Sequence, residues 1–334
     1  MNDRPEWTNE PELASRRAGG SVVWANDELF AERENLIKPA PAEFQRWNFG
    51  HKGQIYDGWE TRRRREPGCD QAVVRLGLPG VVSGVVVDTS FFTGNYPPFA
   101  SVEALTVDGY PSPEELAEAD WTTIVPRSPL SGDTANHFAV ESARRYTHVR
   151  LTIYPDGGVA RFRVHGRPVA DPRLLDLASL DLAALENGAR IADCSNMFYS
   201  SPANLISPGF ASVMGEGWET ARRRDDGNDW VLVELAAAGV PRLAELDTTH
   251  FKGNAPGWAS LRGKSGDTWF EVLPRTRLQP DTRHRFLLPQ PRELTHLRLD
   301  VYPDGGMARL RLFGALTETG REAFIQRFED STAS

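Results

Sequence analysis

The sequence has little cysteine, no long apolar run and none of the short motifs that announce common chemistries. Among 334 residues there are two cysteines, Cys69 and Cys194. They sit at unmatched places, so neither a disulfide framework nor a thiolate metal site is encoded. That usage fits a reducing compartment, and a cytoplasmic location is expected. The polar opening Met1-Asn2-Asp3-Arg4-Pro5-Glu6 has no apolar core of a secretory leader behind it. No apolar run approaches the roughly 20 residues that span a bilayer. Gly-x-Gly-x-x-Gly, a Walker loop, His-Glu-x-x-His and Gly-x-Ser-x-Gly are all missing, so nothing points to a nucleotide, a zinc protease or a serine elbow. Positive charge is in deficit, with 38 Lys and Arg against 46 Asp and Glu and a net charge of −8. This argues against a nucleic-acid or membrane-surface partner.

What is present is a repeat. Gly58-Trp59-Glu60-Thr61-Arg62-Arg63-Arg64-Arg65 returns as Gly217-Trp218-Glu219-Thr220-Ala221-Arg222-Arg223-Arg224. Asp88-Thr89-Ser90-Phe91-Phe92-Thr93-Gly94-Asn95 returns as Asp247-Thr248-Thr249-His250-Phe251-Lys252-Gly253-Asn254, at the same offset of 159. A self-match of this length means two copies of one structural unit. Asn35-Leu36-Ile37-Lys38-Pro39 also recurs, as Asn204-Leu205-Ile206-Ser207-Pro208, with a connection of different length behind it.

Short apolar runs between turn residues, such as Ala72–Leu76 and Val85–Thr89, predict buried strands. Ser112 and Glu115 predict a capping box on a short helix. His148–Tyr154 and Arg161–Val164 flank Pro155-Asp156-Gly157-Gly158, and His296–Leu312 repeats the pattern, predicting a β-hairpin in each copy. The expected fold is all-β, with two antiparallel β-sandwiches in tandem. The expected layout is a loose tail over 1–20, a first sandwich over 21–170 and a linker over 171–190. A second sandwich over 191–316 and a C-terminal tail over 317–334, helical around Arg321–Phe328, complete it. In the linker, Leu174, Leu177, Leu180 and Leu185 fall near helical spacing, and Gly188 is placed to stop a helix.

The candidate site residues are the polar groups inside the repeat. Arg63, Arg64, Arg222 and Arg223 are candidate carboxylate clamps, because the guanidinium fork matches a carboxylate; a solvated face or structural ion pairs explain them equally well. Trp59 and Trp218 read as core aromatics. Glu60, Asp88, Glu219, Asp247 and His250 are acid–base candidates, although strand-end Asp-Thr pairs also order loops. Asn95 and Asn254 are turn residues able to bind an amide-like group. His250 and Lys252 replace Phe91 and Thr93, and His51-Lys52 has no counterpart. The shared fold alone therefore does not require them. His148 and His296 match each other and read as structural.

These motifs resemble the allantoicases. Asp57-Gly-Trp-Glu-Thr-Arg-Arg, Leu76-Gly-Leu-Pro-Gly-Val and Asp88-Thr-Ser-Phe-Phe-Thr-Gly-Asn-Tyr-Pro-Pro are similar to the first repeat of that family. Gly217-Trp-Glu-Thr-Ala-Arg-Arg-Arg, Gly227-Asn-Asp-Trp and Glu245-Leu-Asp-Thr-Thr-His-Phe-Lys-Gly-Asn-Ala-Pro are similar to the second. Tyr-Pro-Asp-Gly-Gly-x-Ala-Arg-x-Arg completes both. The resemblance covers about residues 22 to 315 and departs from the pattern at Cys69-Asp70-Gln71. It implies jelly-roll-like sandwiches of the galactose-binding type, hydrolysis of allantoate to ureidoglycolate and urea in purine (allantoin) breakdown, and a homo-oligomer. No cofactor is expected, with a divalent metal left open. The competing reading is a tandem sandwich that binds carbohydrate or another small ligand without chemistry. A hydrolase for a different ureido acid is the other alternative.

Overall fold

The computed structural model describes residues 4–44, 47–51, 53–174 and 179–332. Lys52 and Leu177, named above, lie outside the described residues. Two compact units are present, residues 1–169 with 330–334, and residues 170–329.

The first unit is built on one long strand. Its strands are β1 (Ser21–Ala25), β2 (Asp70–Asp88), β3 (Phe99–Leu105), β4 (Thr122–Pro129), β5 (Ala135–Ala139), β6 (Arg145–Tyr154) and β7 (Arg161–Pro168). The first part of β2 pairs with β1 and β6, and the sheet continues through β3 to β4. Its last part pairs with β7 and β5. Between them the register shifts across Leu76-Gly77-Leu78-Pro79, where proline has no N–H to give a ladder. One strand thus belongs to both layers of an antiparallel sandwich. Ala72 and Val74 from its first part, with Val85 and Val87 from its last, are fully buried. Alternation along each half aims these side chains at the shared core.

The second unit repeats the plan with β8 (Arg190–Cys194), β9 (Asp229–Asp247), β10 (Trp258–Ser265), β11 (Thr268–Arg277), β12 (Arg283–Leu287), β13 (Leu294–Tyr302) and β14 (Arg309–Leu316). Here β9 is the shared strand. The capping box forms on helix α1 (Pro113–Glu118), where Glu115 N–H donates to Ser112 Oγ and Ser112 N–H to Glu115 Oε2.

Four expectations change. The Asp-Gly segments are not hairpin turns, because β6 does not pair with β7; both pair with β2. The segment arches from one layer to the other. Its Asp156 accepts the Arg64 N–H at 2.7 Å, and Gly158-Val159 pairs with Trp59-Glu60. The start of the chain is not loose from residue 5 on. Leu13 and Ala14 are fully buried, Leu13 N–H donates to Val164 O at 2.7 Å, and Trp7 rests on His137 and His165. The expected linker is the second copy of that segment: Leu182 and Ala183 are fully buried, and Leu182 N–H donates to Leu312 O at 2.8 Å. Its described residues form a strand at Leu180–Asp181 and 3-10 turns, not an α-helix. Last, the C-terminal helix α2 runs from Glu318 to Thr332, longer than its pattern suggested, with Phe324 buried.

Candidate active site

Each copy of Gly-Trp-Glu-Thr places its two central residues on opposite sides of a two-residue strand. Trp59 goes inward, fully buried, with its indole N–H donated to Asp27 O at 2.7 Å. Trp218 does the same toward Asn196 O at 2.8 Å. A strand alternates its faces, so Glu60 and Glu219 emerge on the other side. There each meets the asparagine of the second motif. Asn95 Nδ2 donates to Glu60 Oε1 at 2.7 Å, and Asn254 Nδ2 to Glu219 Oε1 at 2.6 Å. Residues 35 positions apart are brought together identically in both units. The remaining acceptors, Glu Oε2 and Asn Oδ1, have no protein partner among the described residues. Burial pushes the Glu60 carboxyl up, and the Asn95 bond offsets only part of that.

The loop carrying Asn95 is held from within. Asp88 Oδ1 accepts Ser90 N–H at 2.9 Å and Ser90 Oγ–H at 2.6 Å, and Asp247 accepts the matching pair from Thr249. Thr89 and Thr248 cross to the carbonyls of the facing loops. Phe91 and His250 both carry positive φ, at 68° and 73°. The His250 ring lies 3.0 Å from the carbonyl of Ala211 through Nε2. Asp88, Asp247 and His250 therefore have structural partners of their own. The backbone carbonyl of each asparagine takes the N–H of the arch glycine, Gly158 or Gly306. Any side chain at these glycines would overlap the ring of Phe92 or Phe251.

The arginine clusters divide. Arg64 is spent on Asp70, with Nε–Oδ1 at 2.9 Å, and Arg223 on Asp229 at 2.7 Å and Asp225 at 3.0 Å. Asp70 and Asp229 are almost fully buried, so these are structural ion pairs. Asp70 keeps its place at the family departure noted above, while Cys69 and Gln71 stand where the second copy has Asn228 and Trp230. Arg63 and Arg222 are exposed and make no ion pair among the described residues.

The two copies differ in what covers the Glu–Asn pair. Asn35 and Asn204 each donate to the carbonyl before the tryptophan, at 2.8 Å. The chain between Asn35 and Trp59 is nevertheless ten residues longer than that between Asn204 and Trp218. In the first unit the described residues of the longer connection lie over the site. Phe44 stacks on Phe91 at 5.7 Å and Tyr56 on Phe92 at 5.2 Å. A pocket of about 510 Å³ results, lined by Phe30, Gly53, Gln54, Tyr56, Glu60, Thr93, Gly94 and Asn95. Arg161, 1 % exposed, clasps the loop by its stem, donating to the carbonyls of Ala40, Pro41 and Asp57 and to the Asp57 carboxylate at 2.6 Å. Sequence reasoning missed this residue, although Ala160-Arg161 and Ala308-Arg309 match in the two copies. In the second unit Met214 Sδ lies 3.2 Å from Asn254 Nδ2, and Tyr199 N–H donates to Glu219 O as Phe30 N–H does to Glu60 O in the first. Among the described residues, no three His, Cys, Asp or Glu side chains gather as metal ligands.

The allantoicase repeat, as a family model, matches residues 11–169 and again 180–317. The chain belongs to the allantoicase family. It is 59% identical over 314 residues to a Nocardia farcinica protein named "Probable allantoicase", covering 93% of this chain and 95% of that one. A Streptomyces coelicolor protein of the same name is 53% identical, over 97% of this chain and 90% of its own length. The crystal structure of allantoicase from Saccharomyces cerevisiae superposes with a TM-score of 0.80 at 34% identity, covering 92% of this chain and 93% of that one. The matched ranges of the allantoicase repeat begin at the buried Leu13 and Leu182 segments, and each contains one complete Glu–Asn pair. No helix among the described residues is long and apolar enough to cross a membrane.

Proposed function

We propose that the chain hydrolyses allantoate to ureidoglycolate and urea, and that the reaction takes place in the first-unit pocket. The observation that carries the site is the Glu60–Asn95 pair beside the connection that is ten residues longer in the first copy. Allantoate bears one carboxylate and two ureido arms on a single carbon. Urea leaves badly as an anion, so the departing nitrogen needs a proton. Glu60, its carboxyl pushed up by burial, is suited to hold that proton and deliver it. Asn95 fixes the carboxyl by its amide N–H and offers its carbonyl to a ureido N–H. Water supplies hydroxyl to the carbon and a proton to the acid, closing the balance. Arg63, three residues beyond Glu60 and without an ion pair among the described residues, is the candidate for the substrate carboxylate; Arg222 is its counterpart. Glu219 and Asn254 form the second copy's binding pair, and Asp88, Asp247 and His250 shape the loops.

A homo-oligomer is supported by Met197, Phe198, Tyr199 and Phe210, each 64–70% exposed on the second unit, since apolar clusters of this kind mark association surfaces. A cytoplasmic location is supported by the two free thiols.

The test is urea release from allantoate by purified, metal-stripped protein, with ureidoglycolate followed in parallel. Equimolar urea and ureidoglycolate are expected. Release only after a divalent ion is restored would add a metal to the site. No release under either condition would overturn the activity.

A further inference from the structure

The second copy keeps the Glu–Asn pair and changes what surrounds it. Asn254 Nδ2 donates to Glu219 Oε1 at 2.6 Å and to Met214 Sδ at 3.2 Å. A side-chain amide nitrogen carries two protons, so both are taken. What the pair still offers is two oxygens, Glu219 Oε2 and Asn254 Oδ1, neither with a protein partner among the described residues. It accepts hydrogen bonds and has none left to donate. It is also open. The connection before its tryptophan is ten residues shorter, and Tyr199 is 64% exposed where its counterpart Phe30, a wall of the first pocket, is 43% exposed.

The charge differs as well. Lys252 stands where Thr93 lines the first pocket, two residues before the asparagine. Its side chain is 78% exposed, and its ammonium lies 4.0 Å from Asp281, whose other oxygen takes the His250 N–H at 2.8 Å. An exposed pair at that distance leaves the ammonium available to a ligand. The second copy thus sets two acceptor oxygens at one motif position and a cation two residues away, where the first copy has a hydroxyl.

We infer that Glu219, Asn254 and Lys252 form a second binding site, for a small carboxylic acid bearing a terminal ureido group, and that this site holds the acid without hydrolysing it. The ureido NH2 gives one proton to Glu219 Oε2 and one to Asn254 Oδ1. The carboxylate meets the Lys252 ammonium, a mobile point charge on a flexible stem. The site stays in contact with bulk water, which weakens the electrostatic contacts that a reaction would need. That it does not react rests on the placement of the reaction in the first unit; that it binds does not.

The probe is N-carbamoylglycine. The control is N-acetylglycine, in which a methyl group replaces the terminal NH2. Both are titrated into the full chain, isotope-labelled at its methionine methyls and followed by NMR. Met214 touches Asn254, and no methionine lines the first-unit pocket. The Met214 signal, assigned by its loss in Met214→Leu, therefore reads the second copy, while the fully buried Met307 should not move. A saturable Met214 response is expected, with the carbamoyl acid at least about tenfold tighter than the acetyl acid. Glu219→Gln should remove that preference, because the glutamine oxygen meets either Asn254 or the ligand and not both. Lys252→Thr, at an exposed position, should weaken both acids about threefold. Urea release from allantoate is followed on the same protein. Release with an unmoved Met214 signal would overturn this site and leave the reaction standing; a Met214 response without release would sustain the site and overturn the reaction. Equal affinity for the two acids, or a preference that survives Glu219→Gln, would also overturn the assignment.

Discussion

Glu60→Gln is the sharpest perturbation of the reaction site. Glutamine has the same shape and retains an oxygen to accept the Asn95 Nδ2–H bond now at 2.7 Å. What disappears is the exchangeable proton. An acid–base group contributes about 10²–10⁴ in rate, or roughly 3–5.5 kcal/mol of barrier at 1.36 kcal/mol per decade. The fold should not suffer, because a carboxylate whose ionised form is disfavoured by burial is replaced by a neutral group; the melting temperature should hold or rise slightly. Glu219→Gln makes the same change beside Asn254, where the bond is 2.6 Å. If only the covered copy reacts, it should change kcat by less than about threefold. The assay is urea release at saturating allantoate, with kcat and KM separated. Should Glu60→Gln keep more than about a third of its turnover while Glu219→Gln loses activity, the reaction lies in the second copy and the argument from the covering loop fails. Should both variants stay active, the pairs are binding groups and neither glutamate is the acid.

Other outcomes follow from the same geometry. Tyr56→Ala removes the ring on Phe92; it should raise KM by several-fold, the loss of about 0.5–1.5 kcal/mol of aromatic contact, read from initial rates. Arg64→Ala leaves the nearly buried Asp70 with the Asn26 amide alone and should cost about 2–4 kcal/mol in urea unfolding. Arg63→Ala, at an exposed position, should cost under about 0.5 kcal/mol and act on KM instead. His148 is buried and its pKa is lowered to about 4, by burial first and then by Arg75. The neutral ring suits the fold, so this contribution is whole above the unfolded value near 6.5 and is lost as pH falls toward 4. His148→Gln should flatten the stability profile across that window, measured by chemical denaturation at several pH values.

Much of the framework was legible because the chain states it twice. Trp59 and Trp218, placed identically after glycine, are core residues in both units, and the Ser112–Glu115 cap forms as its spacing suggests. The pattern around Asp156 was less informative. Alternating runs flanking Asp-Gly describe a hairpin and an arch between layers equally well, and only the partner of each strand separates them. The ion pairs of Arg64 and Arg223 had a signal that was not used: in both copies an aspartate follows six residues later. The opening segment lacked periodicity because its buried residues, Leu13 and Ala14, are few and lie on irregular backbone. The covering loop was visible as a length difference. That the extra length builds a pocket depends on aromatic contacts with a distant segment, which no local pattern encodes.

The strand shared by both layers sets how each unit comes apart. The first part of Asp70–Asp88, up to Arg75, serves one sheet and the last part, from Gly80, the other. Melting either sheet strips hydrogen-bond partners from the strand on which its neighbour is built. Amide exchange along its two paired parts should therefore be slow and similar, governed by global opening of the unit. Such a scaffold gives no sheltered half in which changes accumulate quietly. The loops at its ends carry the difference in length between the copies, where one has a cover and the other does not.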